Sequence, residues 1–457
     1  MRSLNRLLAL VMALAALTVF TARPALAQSI LRDAESEAVL QDMSAPLIEA
    51  AGLEPENVEI VLVNDPSVNA FVAGGQIVYI HSGLINAAEN ANEVQGVIAH
   101  ELGHITGGHI LRFGDGIREA SGISLLSLLI GVGAALAGAG EAAMGAIMAG
   151  QRAAMGKFLA FSRAQESSAD AAGAQYLSDA GVSGKGSLEF FKRLQQMEFR
   201  RGFRPSARDD DEYYRTHPMA GDRVATLRET YVIDPAWEKQ TDPELEARFQ
   251  RMQAKLYGYL AEPKQVLTRY PTSMTGDAAR IARAYAFHKD AQVDRAGEEI
   301  EALLERYPDD PYLLEVKGQV LLESGRPEEA LPPLRRATEI TRAQPLIATM
   351  FGHALIATED EDNYEEAERV LRAAVQRDRY NPFAWYQLGV VYAARGDMAR
   401  ARLASAEQQV LSRQMQRALQ SAEAAENALP VGSPDWLRAQ DIAMQARAAL
   451  EREREGR

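Results

Sequence analysis

"VIAHELGHITGGH", residues 97–109, carries three of the seven histidines of a 457-residue chain and one glutamate, set among apolar residues and glycines. The apolar spacing over 92–110 predicts a helix. On that helix His100 and His104 are four residues apart, so both imidazoles leave one face a turn apart and reach one ion. Glu101 leans over the same point and is placed to take a proton from an attacking water. A five-residue H-E-x-x-H match is weak alone. It gains weight from the strands before it and from Gly103, which permits close helix packing. His109 is the tempting third ligand. A continuing helix would turn through about 900° between His100 and His109, half a turn off the ligand face. The position six beyond His104 is Ile110, not histidine. A structural or surface role is therefore expected for His109.

The third ligand must come from elsewhere, and a carboxylate is expected. "SRAQESSADAAG" (162–173) offers Glu166 and, one turn later on the same face, Asp170. Two histidines and one glutamate around zinc leave a fourth position open for chemistry. A ligating histidine donates its other N–H to a nearby carboxylate, and Asp170 suits that role. His217, in "THPMAGDR" (216–223), sits in a polar loop with Arg223 six residues on. It could donate to a tetrahedral oxyanion, occupy the fourth metal position and hold the site idle, or be structural.

The composition is that of an ordinary globular protein with room for two or three domains: 47% hydrophobic, 25% charged. A net charge of −14 argues against nucleic acid as a partner, because phosphate binding needs a basic surface. Residues 1–27 read as a cleaved signal peptide: Arg2 and Arg6, an apolar run at 7–20, then small residues at 25–27. There is no cysteine, hence no disulfide and no thiolate zinc site.

Further helices are expected at 30–52, 158–181 and 241–260, and strands at 58–65 and 76–84. Gly74-Gly75 marks a turn between the strands, and 204–224 reads as a loop. From residue 263 the chain repeats. Ala284/Ala296, Gly318/Ala330, Gly352/Ala367 and Gly389/Ala401 recur, with 34 residues from Ala284 to Gly318 and again to Gly352. Small residues at two fixed points of a 34-residue helix–turn–helix unit form the tetratricopeptide pattern. After about residue 404 the period lapses into longer capping helices.

"HELGH", "SRAQESSAD" and "THPMAGDR", in this order, resemble the M48 peptidases, integral or secreted gluzincins. With a signal peptide and repeats added, the chain is similar to the group of that family that enhances β-barrel assembly in the Gram-negative periplasm. The resemblance implies His100, His104 and Glu166 as ligands of one Zn2+, Glu101 as base, and Asp170 as a partner in the site, in some assignments the proton donor. It matches His217 and Arg223 to a His-Pro with a following Arg. "NAFVAGGQIVYIHSGL" (69–84) matches the family's strand segment before the active helix, and its Phe71, Val72, Ala73 and Gly74 could pair with an extended substrate.

The expected architecture is mainly α with a small β-sheet: a gluzincin-type metallopeptidase domain over 28–262, then an all-α repeat superhelix over 263–457. The expected function is a periplasmic zinc endopeptidase acting on misfolded or stalled outer-membrane proteins, with the repeats recruiting substrate or assembly machinery. The alternative is a chaperone or scaffold with a latent site. Ala120–Gly140 is an uncharged run between His104 and Glu166. One membrane crossing there would separate residues that share an ion, and a second, over 142–161, would bury Arg152 and Lys157. A helical hairpin near the site is expected instead, with peripheral membrane contact through 120–161.

Overall fold

The computed structural model describes residues 29–109, 112, 118, 121–130, 140–201, 217 and 223–455. The signal-peptide reading and most of the 204–224 loop lie outside the described residues, as does the turn of the hairpin.

A four-stranded sheet opens the fold in the order β1-β2-β4-β3: β1 (Ser29–Leu31), β2 (Glu59–Asn64), β3 (Ala70–Ala73) and β4 (Ile77–His81). β1 and β3 form its two edges. β2 and β4 are parallel, and β4 returns antiparallel to β3 after a turn at Gly74 and Gly75, whose φ values of +65° and +107° favour glycine. The strand expected to reach residue 84 stops at His81. Ser82–Ala87 (α2) turns helical because Gly83 lies against the 65–67 turn: a Cβ there would sit 2.2 Å from the Pro66 carbonyl.

Helix α1 (Ala34–Ala50) starts where Asp33 accepts the Ser36 N–H and buries Val39, Leu40, Met43, Leu47 and Ile48. The metal-motif helix α3 (Ala91–Thr106) is capped by Asn90, which accepts the Glu93 N–H. Every residue from Ala91 to His104 is buried, as befits a helix enclosed on all sides. Its neighbours are β3, β4, α1, α4 (Gly140–Asp179) and α5 (Lys185–Arg201). α4 runs 40 residues and starts well before the expected 158. Its early turns meet the helical segment 121–130, where a Cβ on Gly150 would fall 1.9 Å from Ser127 Cβ. No helix among the described residues is long and apolar enough to cross a membrane.

After α6 (Arg223–Val232), helix α7 (Pro243–Leu260) packs on α1, α2 and α3, capped by Asp242. A short α8 (Pro263–Arg269) leads to paired helices: α9 (Asp277–Lys289) with α10 (Val293–Leu304), α11 (Pro311–Glu323) with α12 (Pro327–Ile340), α13 (Pro345–Ala357) with α14 (Tyr364–Arg377), and α15 (Pro382–Ala394) with α16 (Met398–Leu411). A longer final pair follows, α17 (Met415–Glu426) and α18 (Pro434–Glu455). All eight small residues of the repeat pattern are buried. The result is an extended array of paired helices behind a mainly helical domain with a small open sheet.

The hydrophobic cores do not stop at the boundary. One cluster joins the sheet to α1, α3, α5 and α7; the next contains Ala34 and Ala254 together with Ile281, Phe287 and Leu313 of the repeats. Arg251 reaches both Glu35 and Asp310, the latter the N-cap of α11.

Candidate metal centre

α3 and α4 cross without side chains between them. A Cβ on Gly103 would lie 2.6 Å from the Ala169 carbonyl oxygen, and one on Gly173 would lie 3.0 Å from the Ala99 carbonyl. That backbone-to-backbone approach sets Glu166 and Asp170 of α4 beside His100 and His104 of α3.

Four buried residues then converge: His100, His104, Glu166 and His217 offer one ligand atom each within 4.8 Å of one another. His100 Nε2 is 3.1 Å from His104 Nε2, 3.3 Å from His217 Nδ1 and 3.4 Å from Glu166 Oε2. His104 Nε2 is 3.5 Å from Glu166 Oε1, and His217 Nδ1 is 3.2 Å from that oxygen. Ligands about 2.1 Å from a tetrahedral ion are separated by about 3.4 Å, so the spacing and the N3O donor set fit a divalent metal such as zinc.

Each motif histidine is held through its other nitrogen. His100 Nδ1 lies 2.9 Å from Asp170 Oδ1. Arg223 grips Asp170 with two bonds, Nε to Oδ2 at 2.7 Å and Nη2 to Oδ1 at 2.8 Å, and also approaches Glu166 at 3.1 Å. Its guanidinium stacks on Phe191 of α5, which also edges His100. His104 Nδ1 is 2.9 Å from His109 Nδ1. His109 is therefore no surface residue: it is buried and orients His104. α3 ends at Thr106, and Gly108, at φ +62°, turns the chain back so that the His109 ring lies against Gly107.

Glu101 is fully buried, and neither carboxylate oxygen has a hydrogen-bond partner. Its Oε1 lies 3.5 Å from His217 Nε2. Burial raises its proton affinity above the ordinary carboxylate range, against the pull of His217 and His100. Burial also opposes ionisation of Glu166, but His217 and His100 outweigh it and hold that carboxylate ionised. His104 is pushed down to about 2 by burial and by its neighbours His100 and His217, so its imidazole is neutral, as a ligand requires. For His100, burial is outweighed by Asp170 and Glu166, which lift it to about 10. A bound metal would take the place of that proton.

β3 lies against α3 at the sheet edge, with Phe71 stacked on Tyr79 at 5.0 Å. Phe71, Val72 and Ala73 belong to the strand, while Gly74 lies in the turn beyond it.

Residues 33–231 match the model described as Peptidase family M48, and residues 281–345 and 354–409 match the tetratricopeptide repeat. The chain thus joins a domain that matches the model of this family to repeats that match the tetratricopeptide model. It is 23% identical over 377 residues to the Beta-barrel assembly-enhancing protease of Escherichia coli (strain K12), covering 81% of this chain and 75% of that one. It is 30% identical over 184 residues to Metalloprotease LoiP of the same organism, 40% of this chain and 65% of the relative. Metalloprotease YcaL, also from that organism, is 29% identical over 178 residues, 38% and 62% of the two chains.

Proposed function

We propose that this chain is a zinc-dependent endopeptidase of the periplasm that hydrolyses misfolded or stalled outer-membrane β-barrel proteins, with its repeats recruiting substrate or assembly machinery. The observation that carries the peptidase reading is Glu101, buried and without a hydrogen-bond partner beside a four-donor cluster. A buried carboxylate left unmet is costly unless the site supplies something to meet it. His100, His104 and Glu166 would hold the ion, which supplies Lewis acidity toward water and the scissile carbonyl. Glu101 then takes the proton of the attacking water and passes it to the leaving amine, a task that its raised proton affinity suits. Asp170, clamped by Arg223, keeps His100 oriented. Phe71, Val72 and Ala73 offer an edge on which an extended substrate can lie, with Gly74 beside its end. The name of the relative matched over 377 residues favours β-barrel proteins as the substrate class. The reading of residues 1–27 as a signal peptide favours the periplasm. Exposed Leu125, Leu126, Leu129, Met144 and Met148 suit peripheral membrane contact.

His217 favours a second reading, a gated site. It stands at the fourth donor position and within 3.5 Å of Glu101, where the attacking water must enter. It must withdraw before cleavage, and a chain in which it stays would act as a chaperone or scaffold. Both readings are tested by metal analysis and by digestion of an unfolded outer-membrane protein. Glu101→Gln should keep stoichiometric zinc and lose cleavage by about 10²-fold or more. Undiminished cleavage by that variant would discard the peptidase. His217→Ala should raise cleavage under the gated reading and lower it if His217 serves the transition state.

A further inference from the structure

Each motif histidine points one nitrogen at the donor cluster and the other away from it. For His100 the outer nitrogen meets a carboxylate, Asp170, held in turn by Arg223. For His104 it meets a second imidazole. His104 Nε2 faces His100 Nε2 at 3.1 Å and Glu166 Oε1 at 3.5 Å, while its Nδ1 lies 2.9 Å from His109 Nδ1. The two rings meet edge-on, with centroids 4.9 Å apart and planes at 77°. His109 is 6% exposed and stands outside the four-donor group.

The two Nδ1 atoms share one hydrogen, and its place decides what His104 can do. With the hydrogen on His109, a neutral His104 carries its own on Nε2, and that nitrogen has no free lone pair for an ion. With the hydrogen on His104 Nδ1, Nε2 is bare and His109 Nδ1 is the acceptor. Only the second arrangement makes His104 a ligand.

Two neighbouring glycines hold His109 in place, for different reasons. The last turn of α3 closes with the Gly107 and Gly108 N–H groups on the carbonyls of Gly103 and Ile105, each at 3.0 Å. Gly108, at φ +62°, reverses the chain, a conformation that favours glycine. Gly107 is right-handed helical at φ −68°, so its backbone suits any residue. What requires glycine there is space: a Cβ would fall 2.4 Å from His109 Nε2. The bare Cα at 107 is the seat of the His109 ring.

We propose that His109 is the positioning residue of the second motif histidine: it accepts the Nδ1–H of His104, commits Nε2 to the metal, and so sets how tightly the centre keeps its ion. The two ligands on α3 are then steadied independently, His100 from α4 and His104 from its own chain five residues on. The inference rests on the metal-centre reading proposed above.

The test measures zinc affinity of the full-length protein by chelator competition, and thermal melting of the metal-stripped protein to read folding separately. His109→Leu fills the space without an acceptor and should weaken zinc about 10- to 100-fold. His109→Asn places a carbonyl oxygen near the position of Nδ1 and should restore affinity to near the wild-type value. Gly107→Ala leaves His109 in the sequence but displaces its ring. It should weaken zinc as His109→Leu does, without lowering the metal-stripped melting temperature, since alanine favours a helical backbone. Combining Gly107→Ala with His109→Leu should cost no more than His109→Leu alone, because both remove one contact. Unchanged affinity in His109→Leu, an asparagine variant no better than the leucine one, or affinity losses that track losses in metal-stripped melting would overturn the proposal and leave the metal centre standing. A wild-type protein that binds no zinc would overturn both.

Discussion

The two halves of the molecule solve one packing problem in different ways. In both, helices cross at glycines. At the metal centre, Gly103 faces backbone, the Ala169 carbonyl 2.6 Å from where a Cβ would stand. In the repeats, Gly318 and Gly352 face the side-chain tips of Leu334 and Leu371, and Gly389 has nothing closer than 3.5 Å. A leucine tip can move; a backbone flanked by Glu166 and Asp170 cannot move without taking those residues with it. The same residue type thus fixes the geometry of the donor cluster in one region and only eases stacking in the other.

Gly103→Ala should break this contrast most severely. It should cost about 3 kcal/mol and reduce bound zinc, read by denaturant melts and metal analysis. Asp170→Asn comes next. It weakens the contacts to His100 and Arg223 and should lower zinc affinity about 10- to 100-fold, measured by chelator competition. The charge network at the domain junction differs in kind, because it buries Glu315 with an oxygen that makes no hydrogen bond. Burial, opposed by Lys255 and reinforced by Asp33 and Glu35, pushes Glu315 up to about 8. The folded state then holds a proton that the unfolded chain releases near pH 4.5, so this contribution to stability is complete below that pH and is lost as pH rises through about 8. Glu315→Gln should flatten that loss and melt a few degrees above the wild type at pH 9, with little gain at pH 4. The repeat glycines should give the smallest effects. Gly318→Ala should change stability by about 1 kcal/mol or less as Leu334 shifts, and Gly389→Ala should be neutral or slightly stabilising through helix propensity. Neither should alter zinc content.

What the sequence reveals follows from how local each relation is. His100 and His104 are legible because four residues on a helix place them together whatever surrounds them. The repeats are legible because Ala284, Gly318 and Gly352 recur at one interval. Glu166 is reached by the chemistry of the donor set and the motif around it. His109 escapes because the angular argument assumes that α3 continues, whereas the helix stops at Thr106 and Gly108 reverses the chain. The charge network at the junction escapes too. It depends on Asp33, Lys255 and Glu315 meeting across two domains, a relation that no spacing encodes. The early start of α4 is obscured by Gly145, Gly150 and Gly156, which weaken a helix in isolation, although Gly150 lets it lie against Ser127.

The shared core around Ala34 and Ala254 has a consequence for how the molecule comes apart. A stacked array is only as secure as its ends, because each unit is supported by its neighbours alone. Here the first unit is plugged by a domain with its own core, and Arg251 of that domain, paired with Glu35, reaches past it to Asp310 at the start of the second. Among the described helix pairs, those packed against that domain should therefore be the last to fray.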